Sequence, residues 1–229
     1  MLRPKKKISK KELKEDALIT KYVQVTTFYE KHKKNISIGI TALVVLVIAS
    51  LVYINNRTAN NEQALADLGK VYTYYDNGQY QLAIDGVPER NIPGLKTIVD
   101  NYGGTPSGNL AKFYVANSYY HLGKHDDALK QFVDFSPAGQ LLSVSKLSGI
   151  AGCYEAKGMY ADAADYFEEA ATKYANDISA PENMNNAARD YALAGKKDKA
   201  IELYKRLKTR FPTSSFAREV DRYIAQLSV

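Results

Sequence analysis

The sequence predicts an all-α protein, a single N-terminal transmembrane helix followed by a solenoid of helical hairpins. Three observations carry that reading. The run ISIGITALVVLVIASLVYI, residues 36–54, has nineteen residues and no charge. A glycine with an alanine five positions later occurs at Gly78/Ala83, Gly123/Ala128, Gly158/Ala163 and Gly195/Ala200. A tyrosine stands four positions before each of those glycines, at Tyr74, Tyr119, Tyr154 and Tyr191. With 45% hydrophobic and 24% charged residues and only 7 prolines, the composition is that of a folded chain.

The first element is a basic leader, residues 1–35. It holds eleven Lys or Arg against four acids, while the rest of the chain has a net charge of −1. The overall +6 and the pI near 9.1 are therefore properties of the leader, and a basic nucleic-acid-binding face on the folded part is not indicated. Ser9 and Glu12 form a capping box, and Leu13, Ala17, Leu18, Tyr22, Val25, Phe28 and Tyr29 make a ragged apolar stripe, so the leader is expected to be partly helical. Such a helix either lies on anionic headgroups or serves as a solvated topogenic tail.

Residues 36–54 follow as a signal-anchor. A nineteen-residue helix is about 28 Å long, close to the hydrocarbon thickness of a bilayer. Lys31, Lys33 and Lys34 end abruptly on one side of it, and Asn55, Asn56 and Arg57 begin on the other. The lysine bias places the N-terminus in the cytoplasm and the remaining chain on the other side of the membrane. The leader is too long and the apolar core too extended for a cleaved signal peptide. Residues 55–63 are expected to form a short linker, and residues 64–229 the repeat domain.

The repeated words are DNGQYQLAI, HLGKHDDALKQF, AKGMYADAADYF and LAGKKDKAIELY. Small residues precede the glycines by seven (Val71, Ala116, Ala151, Ala188), and Phe132, Phe167 and Tyr204 follow the last three by nine. Glycine-to-glycine spacings are 45, 35 and 37. This pattern resembles the tetratricopeptide repeat, a helix-turn-helix of about 34 residues. The glycine ends the first helix of each hairpin and turns the chain in a left-handed conformation. The alanine and the small residue lie where the two helices cross, and the aromatics fill the space between neighbouring hairpins. One hairpin cannot bury its apolar face alone, so the copies stack.

The spacing of 45 marks an insertion at about 86–108, where Pro88 and Pro93 break the second helix and Leu95, Ile98, Val99 and Tyr102 resume an amphipathic one. After RFP (Arg210 to Pro212), Ser214 and Ser215 are placed to cap a last helix, AREVDRYIAQL, that seals the stack.

No catalytic constellation stands out, and the expectation is a protein that is not an enzyme, with no cofactor, metal or small-molecule substrate. Cys153 is alone, so it can form no internal disulfide, and it reads as buried filler. His32, His121 and His125 have no partners at useful spacing, and Asp126/Asp127 and Glu168/Glu169 read as solvated faces. Function in such stacks lies on the concave surface of the first helices. The repeat frame puts Tyr72, Tyr75, Phe113, Asn117, Tyr120, Glu155, Asn185 and Arg189 there, with an aromatic first half and a polar second half suited to a peptide or a partner helix. A carboxylate clamp is not supported, since Leu68, Tyr72 and Phe113 stand where its cations belong and only Asn117 fits.

The lysine-rich leader, single anchor, four repeats and GLKTIVDNYGGTPSGNLAKFYVANSYYHLGK segment together resemble the bacterial ancillary SecYEG translocon subunit family. The resemblance implies an inner-membrane protein whose periplasmic repeats associate with the translocon, periplasmic chaperones or exported chains. The expected function is a membrane-anchored, protein-binding scaffold. The alternative is a structural component of an envelope complex that assembles through self-association of the repeats.

Overall fold

The computed structural model describes residues 10–173 and 178–228, with side chains from residue 19 onward. Ser9, half of the expected capping box, lies outside the described residues. The chain divides into two compact units, Met1–Asn56 and Arg57–Val229.

Helix α1, Lys10–Asp76, contains all described residues of the first unit and the start of the second. Its apolar stretch is long and hydrophobic enough to cross a membrane, and none of that stretch is buried within the protein. Further back, Thr26 and Thr27 donate their hydroxyls to the Val23 carbonyl at 3.0 and 2.7 Å, which satisfies them without leaving the helix.

Residues 55–63, expected as a linker, are helical and belong to α1. Asparagine is a poor helix former, but tertiary bonds compensate. Asn61 Oδ1 accepts from the backbone N–H of Ser107 at 2.8 Å, and Arg57 donates to the Gly104 carbonyl at 3.4 Å.

The second unit is a row of hairpins. The last part of α1 pairs with α2 (Tyr80–Asp85). After an insertion and α3 (Leu95–Tyr102) come the pairs α4/α5 (Pro106–His121, His125–Asp134) and α6/α7 (Gln140–Ala156, Tyr160–Lys173). The pair α8/α9 (Ala180–Leu193, Lys197–Arg210) and a final α10 (Val220–Leu227) complete it.

All four turns are built alike. Gly78, Gly123, Gly158 and Gly195 have φ of 71°, 73°, 72° and 75°. Each glycine N–H donates to the carbonyl three residues back, and the next N–H reaches the carbonyl of the repeat tyrosine, as in Lys196 to Tyr191 at 2.8 Å. These bonds use up helix-end carbonyls that would otherwise lack partners. A Cβ on Gly158 would meet no atom within 4 Å, so only the backbone conformation resists substitution. Gly158→Ala is accordingly expected to cost about 1 kcal/mol, read as a fall of about 2–4 °C in melting temperature.

Packing between the helices follows from the small residues. Val71, Ala116, Ala151 and Ala188, with Ala83, Ala128, Ala163 and Ala200, are all wholly buried. Phe132, Phe167 and Tyr204 are buried behind them, and Cys153 is buried too, its thiol pushed up to about 11 by desolvation. The repeat tyrosines are less uniform. Tyr191 is buried, whereas Tyr74, Tyr119 and Tyr154 are half-buried.

The insertion is an excursion within one helix. Gly86–Val87 and Ile92–Pro93 pair antiparallel, with Gly86 opposite Pro93, around a 3₁₀ turn at Pro88–Arg90. Gly94 then returns to the point where α2 ended, so close that a Cβ there would lie 2.2 Å from the Ile84 carbonyl oxygen. Helix α3 resumes from that point. Together α2 and α3 have fourteen residues, the length of α7 and of α9. Thr105 then caps α4 by accepting from the Gly108 N–H at 3.1 Å.

At the other end, residues Phe216–Glu219 form a 3₁₀ turn, and α10 starts only at Val220. Ser214 accepts from the Phe216 N–H at 3.3 Å, while Ser215 makes no side-chain cap.

Candidate functional site

The first helices of successive hairpins line two adjoining cavities. The larger, about 460 Å³, is walled by Phe113, Asn117 and Tyr120 of α4, Glu155 of α6 and Arg189 of α8, with Phe132 and Phe167 behind. Its floor is α6, where Ser145, Ser148, Gly149 and Gly152 keep the surface low. A Cβ on Gly149 would approach the Phe132 ring to 2.4 Å, so that glycine is needed for the ring to pack. The second cavity, about 320 Å³, lies between α8, α9 and α10 and is lined by Asn185, Arg189, Leu193, Tyr204, Tyr223 and Leu227, among others.

Of the eight groove residues expected from the sequence, Phe113, Asn117, Tyr120, Glu155 and Arg189 therefore share one cavity. Asn185 lies in the second, and Arg189 belongs to both. Tyr72 and Tyr75 line neither. They pack edge-on against Tyr114 at 5.5 and 4.9 Å between ring centres, and Tyr72 remains 41% exposed. Burial, with neighbouring tyrosines, pushes the Tyr75 phenol up to about 12. Rings from other helices, Phe167, Tyr204 and Tyr223, also line the two cavities.

Charge in the trough is concentrated at one point. Arg189 pairs with Glu155 across α6 and α8 at 2.7 Å, and with its neighbour Asp190 at 3.1 Å. Asp190 is fully buried, and its second oxygen has no hydrogen-bond partner among the described residues. Burial raises its carboxyl to about 6, against the pull of Arg189 and with Glu155 adding to the rise. Desolvation disfavours the Arg189 cation, yet its two carboxylate partners outweigh that and hold its pKa above the usual value.

Elsewhere, Glu168 is not the solvated side chain expected. It accepts from the Tyr191 hydroxyl at 2.8 Å and from Arg206 at 3.1 Å, while Asp165 accepts from the same hydroxyl at 2.6 Å. Burial and these two acids drive the Tyr191 phenol upward. His121 stacks on Tyr80 at 4.5 Å and 7°, and His125 lies 5.3 Å from Tyr120. Among the described residues no group of three or more His, Cys, Asp or Glu is arranged to hold a metal.

Comparison with known proteins agrees with the hairpin geometry. The tetratricopeptide repeat family model matches residues 147–177 and 186–214, the third and fourth hairpins. Among solved structures, nearly identical TPR-like repeats of a putative kinesin light chain from Podosopora anserina are similar. They share 16% identity with a TM-score of 0.55, over 73% of this chain and 86% of that one. A variant of the same protein with one glutamine changed to methionine has the same TM-score and identity over 85% of its length. No curated protein matches the chain. The second unit thus has the solenoid-like helical hairpins of tetratricopeptide repeats, which generally mediate protein–protein interaction.

Proposed function

We propose that the protein is a membrane-anchored, non-enzymatic scaffold whose repeats hold envelope or exported proteins on the periplasmic side of a bacterial inner membrane. The observation that carries this is the trough itself, a ring-lined concavity with small residues along its floor and no side chain filling it. Rigid aromatic rings offer contact area at low entropic cost, which suits recognition of a chain segment. Anchoring by residues 36–54 is supported by an apolar helix surface that nothing in the protein buries. The orientation follows from eleven bases before that stretch. Association with the Sec translocon and its chaperones rests on the family resemblance in domain order and repeat words.

A photo-cross-linker at Tyr120 in native membranes is expected to trap translocon subunits, periplasmic chaperones or nascent exported chains. Capture of nothing but lipid discards the scaffold reading. A reporter fused after Val229 is expected to be active only across the membrane, and activity solely in the cytosol would reverse the orientation.

A further inference from the structure

The trough has an electrostatic sign that limits what can occupy it. Among the described side chains lining its two cavities, Arg189 is the only base and Glu155 the only acid. Arg189 is not available to a ligand anion, because it already bridges Glu155 and the buried Asp190. One guanidinium between two carboxylates leaves an excess of negative charge, and the accessible part of it is Glu155, whose side chain is 35% exposed. The same negative field reaches the neighbouring Tyr120 ring, whose phenol is raised by burial and then by Glu155. Ring faces attract cations and not anions, and Phe113 and Tyr120 line the same cavity as the pair.

We infer that the trough takes an extended peptide segment with aromatic or aliphatic anchors and an adjacent lysine or arginine, whose cation pairs with Glu155 while Arg189 stays with Asp190. This rests on the protein-binding reading above. An acidic segment meets the surplus carboxylate and finds no free cation among the described side chains lining the cavities. A basic one adds the missing counter-charge beside a ring face, and its apolar side chains enter the cavities on either side of Arg189. The low floor at Ser148, Gly149 and Gly152 lets an extended backbone lie against α6.

The test uses the full chain in nonionic detergent and three fluorescein-labelled ten-residue peptides. All have two phenylalanines, and they differ only in carrying two lysines, two glutamines or two glutamates. Fluorescence anisotropy is expected to rank them lysine, glutamine, glutamate, with at least tenfold between the extremes and a gap that narrows as salt is raised. Glu155→Gln is expected to bring the lysine and glutamine peptides within twofold of each other. The melting temperature of the variant checks its folding, and the salt series tests the charge effect without any variant. The basic leader of the chain biases against this result, since it attracts the glutamate peptide. Equal or tighter binding of the glutamate peptide, or a lysine preference untouched by Glu155→Gln, overturns the inference and leaves the protein-binding trough standing. Absence of binding by all three peptides overturns both.

Discussion

Gly94→Ala is expected to lower the melting temperature of the repeat domain by about 6–12 °C. The added Cβ would lie 2.2 Å from the Ile84 carbonyl oxygen, 2.3 Å from the Asp85 carbonyl carbon and 2.5 Å from the Gly86 nitrogen. All three are backbone atoms, so no side chain can swing away to make room. The first helical pair must then reopen where α2 and α3 meet, displacing Leu95 and Ile98, which are buried against Leu68, Val71 and Ala111. A forced backbone shift of this kind costs about 3 kcal/mol, and a domain of this size loses about 2–4 °C for each. Gly104→Ala is the matched control, because its Cβ would have nothing within 4 Å and no left-handed backbone opposes it. Circular dichroism melts of the two variants should differ clearly; equal melts would mean that the excursion does not close where the structure closes it.

Asp190→Asn is expected to stabilise the protein at pH 7.5 by about 1–3 kcal/mol. The carboxyl is raised from 3.8 to about 6 by burial, with Glu155 contributing and Arg189 opposing. An acid whose folded-state pKa is raised binds its proton more readily when folded, so its charge destabilises the fold above pH 6. That penalty is relieved as pH falls from about 6 to about 4, and a shift of this size corresponds to roughly 3 kcal/mol at most. The advantage of the variant over the parent should therefore be full at pH 7 and above, shrink through that window and vanish below it. Taking the difference between the two proteins removes the contribution of the other carboxylates. A variant less stable than the parent at pH 7.5 would show that the bond to Arg189 outweighs the cost of burial.

The turns were legible in the sequence because a left-handed residue is a one-position signal. Gly78, Gly123, Gly158 and Gly195 each need a positive φ, and glycine meets that need at little cost wherever it occurs. The small residues at helix crossings were legible for a similar reason, since their size alone sets how near two helices come. Strands of two residues carry no periodicity, and so Gly86–Val87 and Ile92–Pro93 left only their prolines and glycines as signs. That α3 resumes α2 depends on the contact between Gly86 and Gly94, which no local pattern reports.

The candidate site was legible where the repeat frame applies and not beyond it. Phe113, Asn117, Tyr120, Glu155 and Arg189 follow from helix position. The floor of serines and glycines on α6 has no apolar pattern to mark it, although its four small residues within eight positions are a usable sign of close approach. Tyr223 and Leu227 come from α10, outside the repeat frame, and reach the second cavity only because that helix folds back on α9. Tyr114 was missed because it adjoins Phe113 on the same turn and draws Tyr72 and Tyr75 toward itself. Residues 55–63 read as a linker from their asparagines, and Asn61 gains its partner, Ser107, 46 positions away.

The chain has eighteen tyrosines and no tryptophan, so its near-ultraviolet optical signal is dominated by phenol rings. Two pairs stack nearly parallel, Tyr154 on Tyr166 at 5.5 Å and Tyr204 on Tyr223 at 5.2 Å. The second pair joins the last hairpin to α10, so detachment of that terminal helix breaks one coupled pair of chromophores while the other survives. Near-ultraviolet dichroism can thus report fraying of one end without any label, with a Tyr223→Leu variant to identify the band.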